Sequence, residues 1–215
     1  MIHPTLLLLP LLALAAGGEH DATVHHAFDD IQEWVKRFDD PERDAWQKPA
    51  QVVEALAIRP GSALADVGAG TGYFTVHLAQ ATGPEGPVYA VDVEPAMVEY
   101  LGQRAEREGL ANIRPVLTPP DEPGLAEGSV DLVLICNTWH HIDDRLSYLG
   151  KLAAALRRGG RVVIVDFKEG DLPVGPPAGR KLTREAVIGE FEKGGFRLAE
   201  DLDILPHQYV LVFTR

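Results

Sequence analysis

Apolar residues in this chain come in short blocks that switch between two spacings. Near-continuous runs such as Val130-Asp131-Leu132-Val133-Leu134-Ile135-Cys136 suit strands covered on both faces. Strands are predicted at 63–67, 88–93, 113–117, 130–136, 161–167, 196–204 and 209–213. Between them the apolar positions recur at helical spacing over 72–81, 95–108, 143–157 and 183–193, with Gly109 and Gly159 where C-terminal caps belong. The stretch 118–129 is rich in proline and glycine, which argues against a full helix there. Alternating strands and helices predict an α/β fold: a mainly parallel sheet of seven strands with helices on both faces. About four residues separate the last two strands, too few for a crossover, so the last strand should run antiparallel.

Ahead of the first strand the helical period returns. Phe28, Ile31, Trp34, Val35 and Phe38 fall on one helix face. Asp40-Pro41-Glu42-Arg43 reads as an N-cap followed by proline at the first helical position, and Pro49 opens a third helix with Val52, Val53 and Leu56 as its stripe. Residues 28–60 should therefore form a helical extension that caps a core of 61–215, the two making one domain. Further upstream, 6–16 is apolar apart from Pro10 and too short to span a bilayer comfortably; Ala13-Leu14-Ala15 supplies the small residues of a cleavage site. Residues 1–16 read as a signal peptide and 17–27 as a linker, which predicts export to the periplasm or medium. The alternative is an N-terminal extension on a cytoplasmic protein.

The chemistry concentrates at Asp66-Val67-Gly68-Ala69-Gly70-Thr71-Gly72, a glycine turn between a predicted strand and helix, with a second carboxylate, Asp92, closing the next strand. This arrangement suits a nucleoside cofactor at the carboxyl end of an open sheet. The dinucleotide fingerprint wants a third glycine one residue later, where this chain has Tyr73. A carboxylate aimed at the turn also disfavours a pyrophosphate and favours a cationic ligand. Here the chain resembles the class I methyltransferases, whose first motif reads D/E-x-G-x-G-x-G and whose cofactor, S-adenosylmethionine, bears a sulfonium and an ammonium but no phosphate. The resemblance runs from about Pro49 onward and implies the same seven strands with an antiparallel hairpin at the end.

It also implies roles for particular residues. Gly68, Ala69, Gly70, Thr71 and Gly72 would cradle the methionine and ribose, Tyr73 would reach the methionine carboxylate, and Asp92 with Val93 would meet the ribose. Asp66 would accept from the cofactor's ammonium, hold the turn's amides, or do both. The adenine amino group calls for an Asp after the third strand; Thr118-Pro119-Pro120 stands there, and the role is carried to Asp121. After the fourth strand, Asn137-Thr138-Trp139-His140-His141-Ile142-Asp143-Asp144 is similar to a His-His run of quinone C-methyltransferases. Asn137 would approach the methionine part. Of His140 and His141, one should face the substrate as a base near neutral pH and one should be structural. His140 is the preferred base, because Asp143 and Asp144 lie closer in sequence to His141. Trp46 and Trp139 are candidate substrate contacts, Trp46 more readily a staple between helices, and the glycine- and proline-rich 168–181 a candidate lid.

Composition removes several alternatives. A net charge of −12 argues against a nucleic-acid partner and fits a small-molecule substrate. The one cysteine, Cys136, excludes an internal disulfide and sits in an apolar run, and one thiol is too few for arsenite chemistry. No metal is expected: adjacent histidines on a helix point about 100° apart, so His25-His26 and His140-His141 make no bidentate site. Methyl transfer to a small molecule is the expectation. A non-catalytic cofactor-binding module and a nicotinamide-dependent oxidoreductase are the alternatives, the latter opposed by Tyr73. No stable membrane span is expected in the mature chain.

Overall fold

In the computed structural model, which describes residues 31–215, seven strands form one sheet. They are β1 (Leu64–Val67), β2 (Val88–Asp92), β3 (Ile113–Leu117), β4 (Val130–Cys136), β5 (Leu156–Phe167), β6 (Arg197–Asp201) and β7 (Gln208–Thr214). Their spatial order is β3-β2-β1-β4-β5-β7-β6. β1 to β5 pair in parallel, and β7 slots between β5 and β6, antiparallel to both. The antiparallel last strand follows from its short connection, as expected. Its interior place explains its near-continuous apolar run, while β6 at the edge carries Arg197, Glu200 and Asp201 against stray pairing. The signal segment, the linker and Phe28 lie outside the described residues.

Successive side chains along each strand point to opposite faces, so each strand feeds two cores. Leu64, Leu134, Val163 and Val212 pack with α3 (Pro49–Ala55), α4 (Tyr73–Thr82) and α5 (Pro95–Glu108) on one face. Ala65, Ile135, Ile164 and Phe213 pack with α6 (Arg145–Ala155) and α7 (Arg184–Lys193) on the other. Two short helices, α1 (Ile31–Phe38) and α2 (Arg43–Gln47), precede α3. Among the described residues no helix is long and apolar enough to cross a membrane.

Some boundaries move for local reasons. α6 starts at Arg145 because Asp144 accepts from the Ser147 amide at 3.1 Å and so caps the helix. β5 begins at Leu156, directly out of α6, and a register shift in its pairing with β4 takes up the Gly159-Gly160 turn. β6 ends at Asp201 because Leu205 turns into the core instead of continuing the edge.

Candidate active site

β1 leaves the sheet through three glycines with left-handed backbones, Gly68 (φ 74°), Gly70 (φ 55°) and Gly72 (φ 88°). A Cβ on Gly68 would stand 2.1 Å from the Thr138 Oγ1, and one on Gly72 2.7 Å from the Leu101 Cδ2. The turn therefore runs hard against both the β4 loop and α5. Its amides have fixed partners. Gly68 and Ala69 donate to the Val91 carbonyl at 2.9 and 3.0 Å, and Gly70 donates to the Asp92 Oδ2 at 2.8 Å. The other Asp92 oxygen accepts from the Glu94 amide at 3.0 Å, which ties the turn to the start of α5. Burial raises the Asp92 pKa, and the amides of Glu94 and Gly70 oppose the rise.

Asp66 lies beneath this turn, fully buried, and accepts from the Thr75 hydroxyl at 2.6 Å. Turn-holding, one of the two roles expected of it, belongs to Asp92 and the Val91 carbonyl instead. Burial lifts the Asp66 pKa from 3.8 to about 6, with a further push from the Asp92 charge. A desolvated anion of this kind gains from any cation brought beside it.

Beyond Asp92 the sheet ends in two exposed apolar side chains, Val93 (43% exposed) and Leu117 (54%). Asp92 and Leu117 are cross-strand partners, so Val93 and Leu117 share this corner. Thr118 donates its amide to the Asp92 carbonyl at 3.1 Å and its hydroxyl to the Glu122 carbonyl at 3.1 Å. Asp121 does not join them. Its side chain is 76% exposed and lies 3.8 Å from the Lys151 Nζ on α6, because the Pro119-Pro120 turn carries it there. The adenine role carried to Asp121 is corrected accordingly.

At the end of β4, Asn137 adopts a left-handed backbone (φ 55°), uncommon for a residue with a side chain. Its Oδ1 accepts from Gln208 Nε2 at 2.5 Å, and its amide donates to the Val165 carbonyl at 2.9 Å. A tight 3-10 turn, Trp139–His141, follows. It splits three candidates among three fates. Trp139 is fully buried, packed on Phe191 and Tyr148 with its Nε1 donating to Glu190 at 2.9 Å; it is core, and its assignment to the substrate is corrected. His141 is exposed, its ring centre 4.2 Å from that of His140. His140 Nδ1 lies 2.9 Å from the Asp166 Oδ2, with the two side chains 9% and 2% exposed. The reason given for preferring His140 is corrected: Asp144 caps α6, and the carboxylate that orients a histidine here is Asp166 at the end of β5. The signal for Asp166 was present, since it closes a predicted strand just as Asp92 does.

The N-terminal helices lie over the glycine turn. A Cβ on Gly70 would meet the Phe38 ring at 3.6 Å. The Thr71 hydroxyl donates to Asp39 at 2.7 Å, and Arg104 NH1 reaches both Asp39 (3.1 Å to Oδ2) and the Thr71 carbonyl (2.9 Å). The Tyr73 hydroxyl donates to Asp44 at 2.5 Å, so its expected contact with a carboxylate ligand is corrected. Gln47, fully buried, donates to Cys136 Sγ at 3.0 Å, and burial pushes that thiol's pKa up, which leaves it inert. Trp46 sits 5.8 Å from Phe167, both near the end of β5. Among the described residues no group of three or more His, Cys, Asp or Glu gathers to hold a metal, and His25-His26 lie outside them.

Fold and site together define an open α/β protein with a nucleoside-cofactor cradle at the carboxyl ends of its strands. Comparison with known proteins narrows this. Residues 64–160 match the methyltransferase-domain family. The chain is 29% identical over 130 residues to the aklanonic acid methyltransferase DauC of Streptomyces sp. (strain C5), covering 60% of this chain and 59% of that one. It is 28% identical over 155 residues to demethylmenaquinone methyltransferase of Staphylococcus aureus, covering 70% and 63%. It thus spans less than two thirds of either relative's length. A SAM dependent methyltransferase structure from Aquifex aeolicus superposes with a TM-score of 0.81 at 25% identity, covering 86% of this chain and 97% of that one. Residues 64–160 therefore carry a methyltransferase domain, and the chain is similar in fold to a SAM dependent methyltransferase. Its residues fit S-adenosylmethionine: two buried carboxylates favour a cation, and an apolar corner stands where a base could lie.

Proposed function

We propose that this protein methylates a small, planar acceptor bearing an ionisable O–H or an activated C–H, with His140 as the base. S-adenosylmethionine supplies a methyl group activated by its sulfonium and leaves as a neutral thioether, so no acid is needed at the leaving atom. The chain's own work is positioning, exclusion of water and removal of one proton, the first worth up to about 7–11 kcal/mol in well-oriented systems. The observation that carries the reading is the His140–Asp166 pair. With Nδ1 held by Asp166, the imidazole's Nε2 is the nitrogen left to take the acceptor's proton, and the carboxylate stabilises the imidazolium that results.

Val93 and Leu117 are assigned to the adenine, Asp92 to the ribose, and Asn137 with Asp66 to the methionine end. Trp46 and Phe167 supply an aromatic wall that suits a planar acceptor. The relatives named for aklanonic acid and demethylmenaquinone support that acceptor class. Incubation with methyl-labelled cofactor and a panel of quinols, phenols and thiols tests the reading. Label transfer to a quinol or phenol, lost in His140→Ala, is expected; turnover with thiols alone would refute it. Export remains our reading of the apolar stretch 6–16, and N-terminal sequencing of protein from its host, finding a start near residue 16 or 17, would support it.

A further inference from the structure

The N-terminal helices bring a cation into the cofactor site that no sequence pattern marks. Arg43, on α2, lays its guanidinium 3.9 Å from the centre of the Tyr73 ring. Its Nε donates to the Gln47 Oε1, itself anchored on Cys136, and its NH1 donates to the Phe38 carbonyl at 2.6 Å. NH2 takes no partner among the described residues. Tyr73 is the first residue after the glycine turn, and its hydroxyl is turned away to Asp44. What the turn meets over that ring is therefore a fixed guanidinium with donors to spare. Its positive charge also acts on Asp66, on the other side of the turn.

A buried carboxylate and a half-buried guanidinium flanking one turn form a pair of opposite charges. A ligand end carrying both an ammonium and a carboxylate matches both. We propose that Arg43 binds the α-carboxylate of the cofactor's methionine end, with Asp66 on the ammonium side, and so closes α2 over the bound cofactor. The proposal rests on S-adenosylmethionine being the cofactor. An arginine suits this task better than a lysine, because two of its nitrogens stay fixed to the protein while the third faces the ligand.

Calorimetry with two probes tests it: S-adenosylhomocysteine, and its decarboxylated analogue, which keeps the adenosine, sulfur and amine. Arg43→Gln should weaken S-adenosylhomocysteine binding by about tenfold or more and leave the analogue within about twofold. Arg43→Lys, which keeps the charge without the fork, should recover part of the loss, and it carries the same comparison if the glutamine variant does not fold. Equal losses for both probes, or no loss for either, would overturn the assignment. A wild-type protein that binds neither probe would overturn the cofactor reading itself, an outcome distinct from those.

Discussion

Replacing Asp66 by asparagine tests whether the floor of this site is dry. In the wild type the carboxyl is buried against Thr75 and ionises near about 6 rather than 3.8. At about 1.36 kcal/mol per tenfold change in proton affinity, keeping it charged above that pH costs the fold about 3 kcal/mol. The sign follows from the raised value. Stability from protonated Asp66 is fully present below about 3.8 and is lost as pH rises through about 6. Asparagine is neutral throughout, so the variant lacks this dependence. Between about pH 7.5 and about pH 5 the wild type should therefore gain about 1.4 kcal/mol of stability relative to Asp66→Asn. The Asp92 charge contributes to the raised Asp66 value, after burial. Urea unfolding of the ligand-free proteins at the two pH values measures it, since other groups cancel between them. A difference flat across that window would mean that Asp66 ionises as in water, and the case for a desolvated anion poised for a cation would fail. The same reasoning expects wild-type affinity for S-adenosylhomocysteine to drop as pH falls through about 6, because the ammonium loses its counter-charge.

His140→Ala should lower methyl transfer by about 10²–10⁴-fold while S-adenosylhomocysteine affinity, read by calorimetry, holds within about twofold. Asp166→Asn should lower it less, since Asp166 acts through His140. Asp121→Ala should leave cofactor affinity unchanged; a loss of about tenfold would return the adenine role to Asp121. Gly68→Ala should destabilise the fold by about 1–3 kcal/mol in denaturant, through its clash with Thr138 and its left-handed backbone, and Thr138→Gly should restore part of that.

Much of this molecule was legible from one dimension. Strand and helix periods, the glycine turn and the four-residue link before β7 are local features, and they specified the layers, the parallel core and the antiparallel last strand. Asp66, Asp92, Asn137 and His140 were found because a general rule places ligands at the carboxyl ends of strands, where each of them stands. What the chain could not disclose is which side chain meets which across the fold. Asp144 is four residues from His140, yet it caps a helix; Asp166 is 26 residues away and holds the imidazole. Trp139 looked like a substrate contact beside two histidines, but the tight turn after β4 aims successive side chains apart and sends it into the core. Arg43 stood only in a helix-start pattern and Asp39 in none. They reach the glycine turn only because α1 and α2 fold back across the carboxyl edge of the sheet, a placement decided by packing between elements that are distant in sequence. Periodicity is written residue by residue along the chain. Partnership depends on where separate elements end up in space, and only the folded structure holds that information.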